Sequence, residues 1–105
     1  MQQAPTGAER VHSRFAADPD YSELLEMFVA SIPEKVESLR GAFAQGAWRE
    51  LQTLAHQLKG AGGGYGFDGL TPRAAALEQT CKAGQPEAAA EALAELAAYL
   101  GRISA

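Results

Sequence analysis

Apolar side chains recur every three or four residues along most of the chain, with polar residues between them, as in helices that bury one face. Prolines and glycines interrupt this pattern, chiefly at Pro33, Gly46, Gly84 and Pro86. The pattern therefore predicts five helices, over about 20–31, 33–44, 47–64, 71–83 and from 86 to the end of the chain.

The predicted connections are only a few residues long, so successive long helices are expected to be antiparallel neighbours. The sequence predicts an all-α fold in which the last four helices form an antiparallel four-helix bundle, capped at one end by the short first helix. We expect two parts: a flexible N-terminal segment over 1–14, which is mostly polar and contains Pro5 and Gly7, and a helical bundle domain over 15–105.

Composition agrees with one small helical domain and excludes several kinds of partner. The 105 residues are 47% hydrophobic, with much alanine and leucine, and suffice for one hydrophobic core. A net charge of -4 argues against nucleic-acid binding, which requires clustered lysine and arginine. No apolar run approaches the ~20 residues of a membrane span. With Cys81 as the single cysteine and no signal peptide evident, we expect a cytoplasmic protein. We also expect it to be a monomer.

The stretch AHQLKGAGGGYGF, residues 55–67, places one histidine beside several glycines inside a predicted helix. At about 100° per residue, Leu54 and Leu58 lie nearly opposite His56, so the imidazole is expected to point away from the core. Gly60 and Gly63 fall within about 40° of His56 on the same face. Glycine on an exposed helix face sacrifices up to about 1 kcal/mol of helix propensity. The pattern therefore indicates room for another protein or a phosphoryl group next to the imidazole.

Lys59 lies about 60° from His56 on the helix and could neutralise such a phosphoryl group. Neutral imidazole is a good nucleophile, so this arrangement suits a phosphate carrier. A metal site is disfavoured, because His12 is the only other histidine and no HExxH or Glu-x-x-His pattern occurs. A hydrolase would need an acid that orients the histidine and an oxyanion hole, and neither is evident. No phosphate-binding loop is present, so we expect no ATP site and no cofactor.

The same stretch resembles the signature of histidine-containing phosphotransfer (HPt) domains, His-x-Leu-Lys-Gly followed by small residues and a glycine ten positions after the histidine, here Gly66. The similarity extends upstream to about residue 15 and downstream through LTPRAAALE to about residue 83, whereas the last helix fits in character only. Three consecutive glycines, residues 62–64, are more than is usual in the family.

The resemblance implies a four-helix bundle whose histidine accepts a phosphoryl group from an aspartate of one receiver domain and passes it to another. It implies His56 as the acceptor, Lys59 as the residue that stabilises the phosphoryl oxygens, and Gly60 as the opening to the imidazole. The residues expected to flank the docking surface are Arg49, Gln52, Gln57 and Gly63. The implied partners are receiver domains of response regulators and of hybrid sensor histidine kinases.

Two alternatives remain at this point. The chain could be a helical adaptor that binds receiver domains without transferring phosphate, although a missing histidine or lysine would favour that role more. It could also be the phosphoacceptor module of a chemotaxis-type kinase, which would normally continue into dimerisation and ATP-binding domains.

Overall fold

The computed structural model describes residues 9–104, and within that range the chain is dominated by four α-helices. They are α1 (Ser22–Ala44), α2 (Trp48–Gly64), α3 (Leu70–Lys82) and α4 (Pro86–Arg102). A 3-10 turn (Pro19–Tyr21) precedes α1, and two short strands, β1 (Val11–His12) and β2 (Ile103–Ser104), lie before and after the helical part.

The four helices pack around one core. Helices α1 and α3 each pack against both α2 and α4, and the connections 45–47, 65–69 and 83–85 keep consecutive helices adjacent. The fully buried large side chains come from all four helices and from the loop before α3: Leu25, Leu39, Leu51, Phe67, Leu70, Leu77, Leu96 and Leu100. The prediction of a helical bundle is confirmed.

Helix α1 differs from the prediction. The two helices expected over 20–31 and 33–44 are one continuous helix that passes through Pro33. The separate short helix that was expected to cap the bundle does not exist in the described residues 9–104, and the only ordered element immediately before α1 is the 3-10 turn. That part of the predicted fold is wrong.

The helix continues through Pro33 because its buried face is unbroken there. Leu25, Phe28, Ile32 and Leu39 are all buried, and their spacing keeps one helical phase on both sides of the proline. An interior proline costs a helix about 3 kcal/mol. Burial of each of these side chains contributes roughly 1.5–3 kcal/mol, so the combined burial outweighs the proline.

The chain before α1 packs against the end of the bundle. Strand β1 pairs in parallel with β2, and the hydroxyl of Ser13 donates to the carbonyl oxygen of Tyr65 at 2.6 Å. The amide of Arg14 donates to the carbonyl oxygen of Gly66 at 2.8 Å. Of the segment expected to be flexible, 1–14, residues 1–8 lie outside the described residues, and residues 11–14 make these contacts.

Candidate functional site

Helix α2 presents His56 to solvent. Its buried residues, Leu51, Ala55, Leu58 and Gly62, are spaced by three and four and turn one face toward the core. The His56 side chain is 65% exposed. The prediction that the imidazole points away from the core is therefore confirmed.

The face around His56 is open. A methyl group added at Gly60 or at Gly63 would meet no atom within 4 Å outside the local helix backbone. Arg49 is exposed and Gln52 is half-buried, and both occupy the same side of α2 by helical spacing. Helix α2 thus gives one accessible surface with the imidazole near its centre.

Gln57 has a different position from the other residues expected at the docking surface. It is exposed, and it lines a groove of about 290 Å³ between α1 and α2. Met27 and Phe28 of α1 and Leu54 of α2 line the same groove, and Met27 is 67% exposed. An open apolar groove therefore lies beside the histidine face, which the sequence analysis did not predict.

A buried carboxylate contacts the imidazole. Glu78 of α3 has a side chain that is only 5% exposed, and its Oε2 atom lies 3.0 Å from Nδ1 of His56. The ammonium of Lys59 is 2.8 Å from the other oxygen, Oε1, and Nζ of Lys82 is 3.7 Å from Oε2. The site is therefore a cluster of one carboxylate, one imidazole and two ammonium groups.

The pKa of the Glu78 carboxyl lies below its ordinary value of 4.5, mainly because of its contact with Lys59. Burial acts in the opposite direction, and the hydrogen bond with His56 and the charge of Lys82 add to the lowering. Glu78 is thus a carboxylate at neutral pH. A carboxylate only accepts hydrogen bonds, so Nδ1 of His56 must carry the proton in this contact. In the neutral ring this leaves the lone pair on Nε2.

Helices α2 and α3 approach each other closely at the next turns. A methyl group on Gly62 would lie 2.9 Å from the amide nitrogen of Thr71 and 3.2 Å from the carbonyl oxygen of Phe67. The hydroxyl of Thr71 donates to the carbonyl oxygen of Lys59 at 3.0 Å. Because Gly62 has no side chain, α3 can approach α2 closely enough for Glu78 to reach His56.

Glu78 is the site residue to which the sequence analysis gave no role. The expectation that no acid orients the histidine is wrong, because the acid is 22 residues away along the chain and on another helix. A signal was nevertheless present. Glu78 follows Leu70 and Ala74 at intervals of four, within a stripe that is otherwise apolar and buried. A buried charge in such a stripe needs a partner of opposite charge.

Two features are absent from the described part of the chain. Residues 9–104 contain no group of three or more histidine, cysteine, aspartate or glutamate side chains arranged to hold a metal ion. Within the same range, no helix has both the length and the apolar character that crossing a bilayer requires.

Comparison with known proteins gives one match. The model of the family described as Hpt domain matches residues 23–105. No curated protein and no solved structure matches the chain. The matched region contains all four helices except the first residue of α1, so it includes α4, which the sequence resemblance covered only in general character.

Proposed function

The chain belongs to the Hpt domain family, and from that premise we propose that it is a phosphorelay intermediate that carries a phosphoryl group on Nε2 of His56. Membership implies a phosphotransfer function in phosphorelay signalling and interaction with receiver domains of two-component systems.

One observation carries the proposal: an exposed imidazole whose Nδ1 is bound to a buried carboxylate. Because this contact occupies Nδ1, Nε2 is the ring nitrogen left with a lone pair to act as the nucleophile. In the forward step, Nε2 attacks the phosphorus of a receiver aspartyl phosphate and forms an N–P bond. The P–O bond breaks, and the aspartate carboxylate leaves with the bonding electrons. The reverse reaction with a second receiver domain passes the phosphoryl group on.

Glu78 also fits the charge that develops in this step. Because Nδ1 keeps its proton while Nε2 forms the new bond, the ring becomes positively charged. The carboxylate 3.0 Å from Nδ1 stabilises that charge. Lys59, three residues after His56, is the cation that would meet the phosphoryl oxygens. Gly60 and Gly63 would allow the donor to approach.

We further propose that the receiver domain docks on the face formed by Arg49, Gln52 and Gly63 and extends over Gln57 into the groove between α1 and α2. The exposed apolar surface of that groove, where Met27 is 67% exposed, lies beside the imidazole and can bury an apolar element of the partner. The protein needs neither a cofactor nor an ATP site for this role, and we expect it to act as a cytoplasmic monomer.

The decisive experiment uses a phosphorylated receiver domain with labelled phosphate as the donor. The protein is expected to take up an acid-labile, base-stable label, and His56→Gln is expected to take up none. His12→Gln is the matched control, because His12 is exposed in β1 and has no part in the site. Undiminished labelling of His56→Gln would refute the assignment. Stable receiver binding with no labelling of the unmodified protein would indicate the adaptor alternative instead.

A further inference from the structure

Two lysines share one buried carboxylate in the candidate site. Lys59 of α2 lies 2.8 Å from Oε1 of Glu78, whereas Lys82 of α3 lies 3.7 Å from Oε2, near the limit of an ion pair. The Lys82 side chain is 50% exposed, compared with 35% for Lys59. The tighter and less exposed contact is thus made by the lysine that the phosphoryl group would require.

Phosphorylation of His56 would give Lys59 two anionic groups to neutralise, the Glu78 carboxylate and the phosphoryl group. A phosphoryl group on Nε2 of His56 would bring close to two negative charges to the open face. Lys59 cannot place its ammonium beside that group and keep its contact with Glu78 Oε1 unchanged. If Lys59 leaves, the buried carboxylate of Glu78 loses its closest cation and keeps only the positively charged ring of His56, so a second cation within reach would stabilise it.

Lys82 is close enough to pair with the Glu78 carboxylate in place of Lys59. It follows Glu78 by four residues on the same helix, the order in which a glutamate and a lysine attract each other best. Its ammonium needs to move by only about 1 Å to reach the distance of a charge-assisted hydrogen bond. Half of its side chain is in solvent, so it is free to make that movement.

We propose that Lys82 is a positioning residue whose ammonium neutralises the Glu78 carboxylate when Lys59 turns to the phosphoryl group. In the unphosphorylated protein Lys59 pairs with the Glu78 carboxylate, and Lys82 lies near the same carboxylate at a longer distance. In the phosphorylated protein Lys82 holds Glu78 and Lys59 neutralises the phosphoryl oxygens. Lys82 itself does not touch the reacting atoms. This inference rests on the proposed phosphorylation of His56.

The test uses phosphoramidate, a small donor whose phosphorus is attacked by Nε2 as its P–N bond breaks and ammonia leaves. Because no partner protein is involved, docking does not affect the result. We expect Lys82→Gln to lower the phosphorylation rate of His56 and the half-life of the phosphohistidine roughly three- to ten-fold. Lys82→Arg keeps the cation and is expected to restore both. Arg40→Gln removes one positive charge from an exposed position outside both the cluster and the groove, and is expected to change neither.

The same Lys82→Gln substitution made in the Glu78→Gln variant distinguishes this role from a general effect of charge. In Glu78→Gln the carboxylate is absent, so Lys59 has nothing to release and Lys82→Gln is expected to cause no further loss. An equal loss in both backgrounds would show that Lys82 acts directly on the phosphoryl charge and would overturn the inference. Normal labelling of Lys82→Gln would overturn it too. Failure of the unmodified protein to become phosphorylated at His56 by either donor would refute the proposed function and the inference together.

Discussion

The close contact of α2 and α3 at Gly62 allows a sharp test by one added methyl group. In Gly62→Ala, the new Cβ would stand 2.9 Å from the backbone nitrogen of Thr71 and 3.2 Å from the carbonyl oxygen of Phe67. It would collide even more severely with the hydroxyl of Thr71. Two of these three neighbours are backbone atoms, which cannot rotate away, so the helices must separate.

The expected loss of stability follows from three contributions. Overpacking of this kind costs about 1–3 kcal/mol. Displacement of Thr71 breaks its hydrogen bond to the carbonyl oxygen of Lys59, which contributes about 0.5–1.5 kcal/mol. Replacing a helical glycine by alanine returns up to about 1 kcal/mol. The free energy of unfolding should therefore fall by about 0.5–4.5 kcal/mol.

Urea unfolding followed by circular dichroism measures this change, and Gly60→Ala is the matched control. The same methyl group at Gly60 meets no atom within 4 Å, so only the gain in helix propensity remains. We expect Gly60→Ala to be more stable than the unmodified protein by about 0.5–1 kcal/mol. In a domain of this size each kcal/mol shifts Tm by roughly 4–8 °C, so thermal unfolding also resolves the two variants.

The two variants should therefore move in opposite directions although the chemical change is identical. Equal or increased stability of Gly62→Ala would refute the reasoning, because it would mean that α2 and α3 have space for a side chain at this position. A loss of stability in both variants would instead show that the helix itself, and not the contact between helices, responds to the methyl group.

Two further results are expected. Gly60→Leu should fold, since the surroundings of Gly60 are open, and phosphoramidate should phosphorylate this variant at the normal rate. Transfer from a phosphorylated receiver domain should be at least about ten-fold slower, because the leucine obstructs docking. An unchanged rate with the receiver domain would show that Gly60 does not clear the docking face. The lowered pKa of Glu78 predicts acid sensitivity, because its stabilising contribution is fully present above the ordinary value of 4.5 and is lost as the pH falls through the lower folded value. When the free energy of unfolding is measured from about pH 5.5 down to about pH 3, the unmodified protein should lose stability relative to Glu78→Gln. If the difference in unfolding free energy between the two proteins stays constant over this range, the lowered pKa of Glu78 is contradicted.

The sequence predicted most of the helical structure because each helix buries one face. The three helices expected after Gly46 begin and end within about one to three residues of α2, α3 and α4. The mistake at Pro33 arose from treating a proline as a boundary. The apolar phase through Phe28, Ile32 and Leu39 already continued across it, and burial of that face decided the outcome.

The exposed position of His56 and the open glycine face also followed from sequence, since helical phase alone determines which side chains share a side. The resemblance to the family rested on the same short stretch. The roles in phosphotransfer and docking remain predictions for all the site residues named from the sequence: His56, Lys59, Gly60, Arg49, Gln52, Gln57 and Gly63.

Only the tertiary structure decided what stands beside the imidazole. Periodicity gives the phase of a helix about its own axis, but not which neighbouring helix lies against each edge or at what height. The contact between His56 and Glu78 depends on both, and also on the close approach that Gly62 permits. A residue 22 positions away thus fixes the proton on Nδ1, leaves Nε2 free and shares its charge with Lys59 and Lys82. The sequence determined a histidine on an open helix face, and the packing of α3 against that helix determined its chemistry.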